Sequence, residues 1–138
     1  MIVLDTNVLA ELMKPNPAVA VLTWIDNIPT AEFATTAITA AELRTGVRLL
    51  PNGRRREALQ ARVDELLTET FRGTVYPFDI DSAEWCAEII ENCTRLGRPI
   101  GMTDAQIAAI CRQRGTQLAT RNIKDFRDAG VVLIDPWA

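Results

Sequence analysis

Four carboxylates are the residues in this sequence best suited to do chemistry. They lie far apart in the chain, at Asp5, Glu42, Asp104 and Asp125. Each alone has a structural explanation, because an Asp after a strand is a good helix N-cap and a carboxylate in a first helical turn gains from the helix dipole. If the four meet in the fold, their charges repel and raise one another's proton affinity unless a cation lies among them. Oxygen ligands of this kind favour Mg²⁺ or Mn²⁺ over zinc.

The absence of histidine narrows the chemistry further, since none of the 138 residues is His. That excludes the imidazole base of the common hydrolase triads and the usual zinc sites. Two other enzyme classes are disfavoured by the segment DTNVLAE. A HAD-type phosphatase needs a second Asp where Asn7 stands, and a dinucleotide enzyme needs a glycine-rich turn that this segment lacks. Any catalysis by this chain therefore depends mainly on carboxylates.

The basic residues are mostly arginine on an acidic chain. The net charge is −3, so the molecule as a whole does not attract nucleic acid. Lys14 and Lys124 are the only lysines, which leaves 13 of the 15 basic residues as Arg. One cluster is Arg54–Arg56, and a looser one contains Arg121, Lys124 and Arg127. Solvated surface explains such clusters, but guanidinium groups also suit phosphate, so an anionic partner stays open.

The pattern of apolar residues predicts strands and helices that alternate along the whole chain. The predicted strands are Ile2–Leu4, Phe33–Thr36, Thr74–Phe78, Gln117–Thr120 and Val131–Ile134. The predicted helices are Thr6–Met13, a segment between Pro17 and Pro29, Ile38–Leu50, Arg54–Phe71, a segment from Asp81 to Gly97, and Thr103–Arg114. This order favours an α/β domain whose mostly parallel sheet lies between helix layers. Sites in such sheets lie beyond the carboxyl ends of the strands, where we place Asp5 and Thr120.

Three helix starts have capping signatures. Asp81 with Glu84, and Thr39 with Glu42, show the spacing of a capping box, and Thr103 is the expected cap of the next helix. The stripe that Asp104 heads continues through Ile107, Ala108 and Cys111. If the stripe faces the sheet, it draws the Asp104 carboxylate inward, and an unpaired buried carboxylate is costly.

Size and composition indicate one globular domain spanning residues 1–138. The sequence is 48% hydrophobic and 24% charged, which suffices for one core. Its three cysteines are odd in number and lie in helical patterns, so we expect buried thiols rather than disulfides. No apolar stretch approaches the roughly 18 residues of a membrane span, and the start has no signal-type leader. We therefore expect a soluble, cytoplasmic protein.

Four segments together resemble a known family. LDTNVLAEL, ITAAELRTG, MTDAQIAAI and ATRNIKDF, in this order and spacing, are similar to the motifs of PIN-domain ribonucleases. The resemblance is to VapC-type and FitB-like toxins of bacterial toxin–antitoxin pairs, and it extends to the terminal VVLIDPW. It implies a three-layer α/β/α sandwich, a divalent-metal site at the carboxyl edge of the sheet, and endonucleolytic cleavage of RNA phosphodiesters. A cognate antitoxin would inhibit the activity.

The resemblance also implies roles for individual residues. The first three acidic positions of the family correspond to Asp5, Glu42 and Asp104. Some relatives place the fourth acid where this chain has Asn122, whereas others place it where this chain has Asp125. We favour Asp125 as the fourth metal-site carboxylate, with Asn122 as a polar or water-mediated contributor. The polar shell that orients ligands and water corresponds to Thr6, Asn7 and Thr120.

These assignments predict metal-assisted hydrolysis with Mg²⁺ or Mn²⁺. Asp5, Asp104 and Asp125 would hold the ion, and Glu42 would bind a second ion or position the attacking water. We expect Arg121 and Lys124 to contact RNA phosphates, although an ion pair with a neighbouring acid explains either equally well.

The partners that the resemblance implies are a second copy of the chain and an antitoxin. The antitoxin tail would cross the active-site groove, present a basic side chain to the carboxylates, and contact the helices on either side of PNGRRR. Such complexes bind promoter DNA through the antitoxin. The alternative is a binding module of the same fold that sequesters RNA or antitoxin with little catalysis.

Overall fold

The computed structural model describes all 138 residues and contains one sheet of five parallel strands. The strands are β1 (Ile2–Leu4), β2 (Phe33–Thr36), β3 (Val75–Tyr76), β4 (Gln117–Ala119) and β5 (Leu133–Ile134). The helices are α1 (Thr6–Leu12), α2 (Val19–Asp26), α3 (Ala37–Arg48), α4 (Arg54–Glu65), α5 (Ile80–Arg95), α6 (Met102–Arg114) and α7 (Ile123–Phe126). A 3₁₀ turn at Thr30–Glu32 and a π-helical turn at Leu66–Thr70 complete the regular structure.

Two hydrophobic clusters cover the two faces of the sheet. Val3 and Leu118 point into one cluster, which α5 and α6 close with their buried stripes. Leu4 and Ala119 alternate to the opposite face, where residues of α1, α3 and α4 cover them. Alternation along each strand therefore places helices on both faces, as a parallel sheet requires. The predicted α/β/α sandwich is confirmed.

The strand order β3-β2-β1-β4-β5 places β1 in the centre. The chain builds β2 and β3 on one side of β1 and then crosses to add β4 and β5 on the other. Such a reversal opens a crevice beyond the carboxyl ends of the two central neighbours. Asp5 follows β1 and Thr120 follows β4, and the Asp5 amide donates to the Ala119 carbonyl at 3.0 Å. The crevice therefore opens beside Asp5.

The ends of several helices differ from the predictions. The N-cap of α5 is Asp79 rather than Asp81, because the Asp79 carboxylate accepts from the Ser82 amide at 3.0 Å and the Ser82 hydroxyl lies 3.2 Å from the Asp79 amide. The N-cap of α3 is Thr36, which accepts from the Thr39 amide at 3.1 Å, so Thr39 lies inside the helix.

Other boundaries also shift. α6 begins one residue before the expected Thr103 cap, after Gly101, which has no side chain with which to cap. The long charged helix from Arg54 divides into α4 and the π-helical turn.

The remaining expectations about packing are confirmed. β3 lies at one edge of the sheet, and Cys86, Cys93 and Cys111 are all buried free thiols, as expected. No helix is both long and apolar enough to span a bilayer.

Candidate active site

Asp5 is the buried anchor of the site, with 4% of its surface exposed. It ends β1 and caps α1, since its Oδ1 accepts from the Thr6 amide at 2.8 Å. Its Oδ2 accepts from the Thr120 hydroxyl at 2.8 Å. Burial raises the pKa of Asp5, and these two hydrogen bonds oppose that rise. The carboxylate is therefore held rigidly between the carboxyl ends of β1 and β4.

Asn7 and Thr120 tie the segment after β4 to the start of α1. The Asn7 side-chain amide lies 3.3 Å from Thr120 Oγ1, and its carbonyl oxygen accepts from the Arg121 amide at 3.2 Å. The Asn122 amide donates to Thr120 Oγ1 at 3.0 Å. The Thr120 hydroxyl thus accepts from Asn122 and donates its own proton to Asp5 Oδ2. Asn122 reaches the network through its backbone.

Glu42 lies exposed on α3 and is held by a residue of α1. The Thr6 hydroxyl lies 2.7 Å from Glu42 Oε1 and 3.1 Å from Thr39 Oγ1. Thr39 is fully buried, whereas its spacing from Glu42 predicted only a capping role. Its place one turn before Glu42 on the helix is the signal that was missed. The threonines thus bring the start of α1 and the second acidic residue together.

Asp104 lies half-buried in the first turn of α6, at the head of a stripe whose members Ile107, Ala108 and Cys111 are fully buried. The inward-facing stripe that the sequence predicted is confirmed. Burial is the largest cause that raises the pKa of Asp104, followed by the charges of Asp5, Asp125 and Glu42, and together they raise it to about 6. The structure thus brings Asp5, Glu42 and Asp125 within electrostatic range of Asp104.

Asp125 lies exposed in the first turn of α7 and shares a cavity with Asp104. The cavity has a volume of about 400 Å³. Its other charged lining residues are Arg98, Lys124, Arg127 and Asp128. The sequence pointed to Lys124 and Arg127 but missed Arg98 and Asp128, because only the fold brings the loop before α6 against the segment after α7.

The four carboxylates have no cationic partner. None of the chain's ion pairs involves Asp5, Glu42, Asp104 or Asp125. No three acidic or cysteine side chains are already arranged around a single metal position. Carboxylates without a counter-ion repel one another, so an open arrangement is expected. The donor set is made of oxygen atoms and carries uncompensated negative charge, which fits a hard divalent cation.

The two predicted phosphate contacts differ in position. Lys124 lines the cavity beside Asp125. The Arg121 guanidinium lies 5.0 Å from the centre of the Trp137 ring and does not line this cavity. Lys124 is therefore the basic residue of the pair that lies beside the carboxylates.

A second, apolar groove lies on the other side of Glu42. It has a volume of about 640 Å³ and is lined by residues of α1, α3 and α4, including Ala10, Val47 and Leu59. Thr6 and Glu42 line it as well, so the groove adjoins the acidic site. Lys14, Arg55 and Arg62 also line it.

Comparisons with known proteins agree with this geometry. A family model described as PIN domain matches residues 2–132. The chain is 41% identical to the VapC ribonuclease Y4jK of Sinorhizobium fredii (strain NBRC 101917 / NGR234), over 99% of this chain and 98% of that protein. It is 37% identical to toxin FitB of Neisseria gonorrhoeae (strain ATCC 700825 / FA 1090), over 99% of each chain. A structure of FitAB bound to an IR36 DNA fragment matches with a TM-score of 0.95 and 36% identity, covering 100% of this chain and 96% of that one.

Proposed function

Since this chain belongs to the PIN-domain family, we propose that it is a divalent-metal-dependent endoribonuclease and the toxin of a bacterial toxin–antitoxin pair. Similar proteins are named a VapC ribonuclease and a FitB toxin. The observation that carries the proposal is the set of four carboxylates, none of them ion-paired, at the point where the strand order reverses. Such a set can support phosphodiester hydrolysis without histidine when it holds a divalent cation.

Asp5, Asp104 and Asp125 are the proposed ligands of Mg²⁺ or Mn²⁺, with Glu42 completing the acidic site. A divalent cation bound there would supply Lewis-acid polarisation of the phosphate and a water of lowered pKa. The raised pKa of Asp104 supports this role, since a site that repels its own charges gains most from a cation. Asp125 is exposed on a short helix and can adjust its position to the ion.

The neighbouring polar residues position the carboxylates. Thr120 and the Thr6 amide fix both oxygens of Asp5, so this ligand enters the reaction already oriented. The Thr6 hydroxyl fixes Glu42 Oε1 and leaves Oε2 without a hydrogen bond in the structure. Glu42 Oε2 can therefore accept a proton from the attacking water or hold that water in line with the phosphorus.

The proposed protein partner is a cognate antitoxin that occupies the apolar groove. The groove adjoins Glu42, so a segment lying in it reaches the carboxylates. A FitAB structure contains bound DNA, and we propose that this chain joins a comparable assembly in which the antitoxin contacts promoter DNA. A homodimer of the toxin is part of the same proposal. We propose that residues 1–138 function as one domain. We also propose that this domain cleaves RNA in the cytoplasm.

The test is RNA cleavage by the purified chain with Mg²⁺ or Mn²⁺ and with a chelator. Asp5→Asn and Asp104→Asn should each lower the cleavage rate at least about 100-fold, because each removes a ligand charge. Asp81→Asn is the matched control, since it makes the same change at an exposed position on α5. Full activity in both site variants would remove the proposed site.

The same assay separates the alternative of a sequestering module. Under single-turnover conditions an enzyme converts bound RNA to products, and the site variants bind RNA but leave it intact. A sequestering protein binds RNA, produces no metal-dependent products, and shows no difference between Asp5→Asn and wild type. Growth arrest that an adjacent antitoxin gene relieves would support the toxin role.

A further inference from the structure

We propose that the cavity lined by Asp104, Lys124 and Asp125 is a subsite for the RNA phosphate next to the scissile one, with Lys124 as its cation. The inference rests on the proposed ribonuclease function and deepens it. It assigns the cavity one ligand chemistry, a phosphodiester of the substrate strand, and a fixed place relative to the bond that is cut.

The position of the cavity supports this assignment. Asp104 and Asp125 line it, whereas Asp5 and Glu42 do not. The cavity therefore extends from one side of the acidic site, along α7 and the loop before α6. A strand whose scissile phosphate lies at the four carboxylates must continue to either side, and this cavity is the recess that opens on the Asp104 side.

The lining of the cavity selects the backbone of RNA rather than a base. Apart from Pro99, Ile100 and Gly101, every residue that lines it is charged. No aromatic ring is available for stacking, which is the usual way in which proteins hold an unpaired base. A charged phosphodiester is therefore the part of the strand that fits.

Among the three cations of the cavity, Lys124 is the one left free. Arg98 makes a bidentate pair with Asp128, with Nε–Oδ2 at 2.7 Å and Nη2–Oδ1 at 2.8 Å. Arg127 lies 3.8 Å from the same carboxylate. Lys124 makes no ion pair, although Asp125 and Asp128 line the same cavity. An exposed ammonium group in a polar recess is available for a phosphate.

The Arg98–Asp128 pair gives the subsite a fixed wall. It joins the loop before α6 to the segment after α7, and the Asn92 side chain adds a bond to the Asp128 carbonyl at 3.3 Å. Asp104 lies on α6, which follows that loop, and Lys124 lies on α7, which precedes that segment, so the pair limits how far α6 and α7 can move apart. We therefore expect the subsite to favour one phosphate position.

The experiment uses a short RNA with one mapped cleavage position, in which single flanking phosphates are replaced in turn by uncharged methylphosphonates. We expect one flanking position to lower kcat/KM of the wild-type chain about tenfold, the effect of one charge-assisted hydrogen bond. Lys124→Met should lower kcat/KM on unmodified RNA by the same factor. It should cause no further loss on RNA modified at that one position, and Lys124→Arg should restore most of the rate.

Arg72→Met is the matched control, because Arg72 is exposed and precedes β3, at the opposite edge of the sheet. It should leave kcat/KM and its dependence on each phosphate unchanged. The subsite is disproved if Lys124→Met cleaves unmodified RNA as fast as wild type. It is also disproved if the factor by which Lys124→Met lowers kcat/KM is the same on every methylphosphonate RNA as on unmodified RNA.

A binding measurement tests the phosphate subsite independently of the proposed ribonuclease function. The affinity of each variant for the same RNAs, measured by fluorescence anisotropy without divalent metal, should show the same coupling between Lys124 and one phosphate. Binding with that coupling but without cleavage would contradict the ribonuclease and retain the phosphate site. Cleavage without the coupling would retain the ribonuclease and remove the subsite.

Discussion

Thr120 acts on the site through Asp5 rather than through substrate. Its hydroxyl is fully buried, accepts from the Asn122 amide and donates to Asp5 Oδ2 at 2.8 Å. Thr120→Val keeps the shape of the side chain and removes this bond. We expect kcat for RNA cleavage to fall about 10- to 100-fold, the usual effect of losing a group that orients a ligand. Steady-state kinetics on one RNA substrate measure it.

Two companion variants define what that loss means. Thr120→Ser keeps the hydroxyl and should retain most of the activity. Thr116→Val makes the same isosteric change at a hydroxyl that lies near the Cys111 thiol and bonds no carboxylate, so its kcat should stay at the wild-type level. Equal activity of Thr120→Val and Thr120→Ser would show that Asp5 needs no such support.

The ionised Asp104 carboxylate destabilises the folded chain. Its pKa in the folded chain is about 6, above its ordinary value of 3.8, because burial and neighbouring carboxylates disfavour the charged form. The folded chain therefore loses stability as the pH rises from about 4 through 6. Asp104→Asn removes this penalty and should raise the free energy of unfolding by about 1 to 3 kcal/mol at pH 8 in the absence of divalent metal.

The pH dependence distinguishes the removal of the Asp104 charge from a change in stability that does not depend on ionisation. At pH 4 wild type and Asp104→Asn should unfold at similar urea concentrations, and their midpoints should move apart as the pH rises. Glu84→Gln, an exposed site on α5, is the control and should show little difference at either pH. Mg²⁺ should stabilise wild type more than Asp104→Asn. A constant gap between the two chains at all pH values would contradict this explanation.

At the scale of single elements, the start of α5 is fixed by Asp79. Its carboxylate accepts from the Ser82 amide and hydroxyl, and the Gln113 side chain adds a bond from α6 at 3.3 Å. These bonds lower the pKa of Asp79. Asp79→Ala should lower Tm by several degrees at pH 7, and the difference from wild type should shrink as acid protonates the carboxylate.

Asp81→Ala is the natural control for Asp79→Ala, because the sequence pattern nominated Asp81 as the cap. It should change Tm by much less, since Asp81 is exposed one residue inside the helix. Thermal melts followed by circular dichroism compare the two chains. A larger loss in Asp81→Ala would mean that the helix begins where the pattern placed it.

These cap positions show where sequence reasoning loses precision. Periodicity locates a helix within a turn, and here it found α3, α5 and α6. It cannot choose between Asp79 and Asp81, or between Thr36 and Thr39, because each pair offers a capping side chain two or three residues apart. The choice depends on which residue has extended backbone, as Asp79 and Thr36 do. That in turn depends on where the preceding strand ends.

At the scale of the whole molecule, topology decides which distant residues meet. The alternation of strands and helices predicted a mostly parallel sheet, and the stripe below Asp104 predicted the inward face of α6; both are observed. The pairing of Arg98 with Asp128 could not be predicted, since it joins two loops whose meeting no local pattern encodes. Thr6 binding Glu42 was hidden for the same reason. Side-chain contacts between elements therefore require the fold, whereas the elements themselves do not.

The two hydrophobic clusters share one central sheet, so we expect residues 1–138 to unfold as a single cooperative unit. Trp85 packs against one cluster, and Trp24 and Trp137 pack against the other. Trp85→Phe leaves reporters on one face only, and the double change Trp24→Phe with Trp137→Phe leaves a reporter on the other. Ile89→Val should lower the free energy of unfolding by about 1 kcal/mol in both backgrounds, measured by fluorescence in urea.

The size of the shift at each reporter decides whether the sheet couples the two layers. Ile89 is fully buried in the cluster that contains Trp85, at a distance from the other cluster set by the thickness of the sheet. If the strands transmit the loss, the urea midpoint seen by Trp24 and Trp137 moves as far as the midpoint seen by Trp85. A shift confined to Trp85 would divide the chain into two folding units. It would also mean that only part of the fold fixes the position of Asp5 relative to Asp104, which lie in different layers.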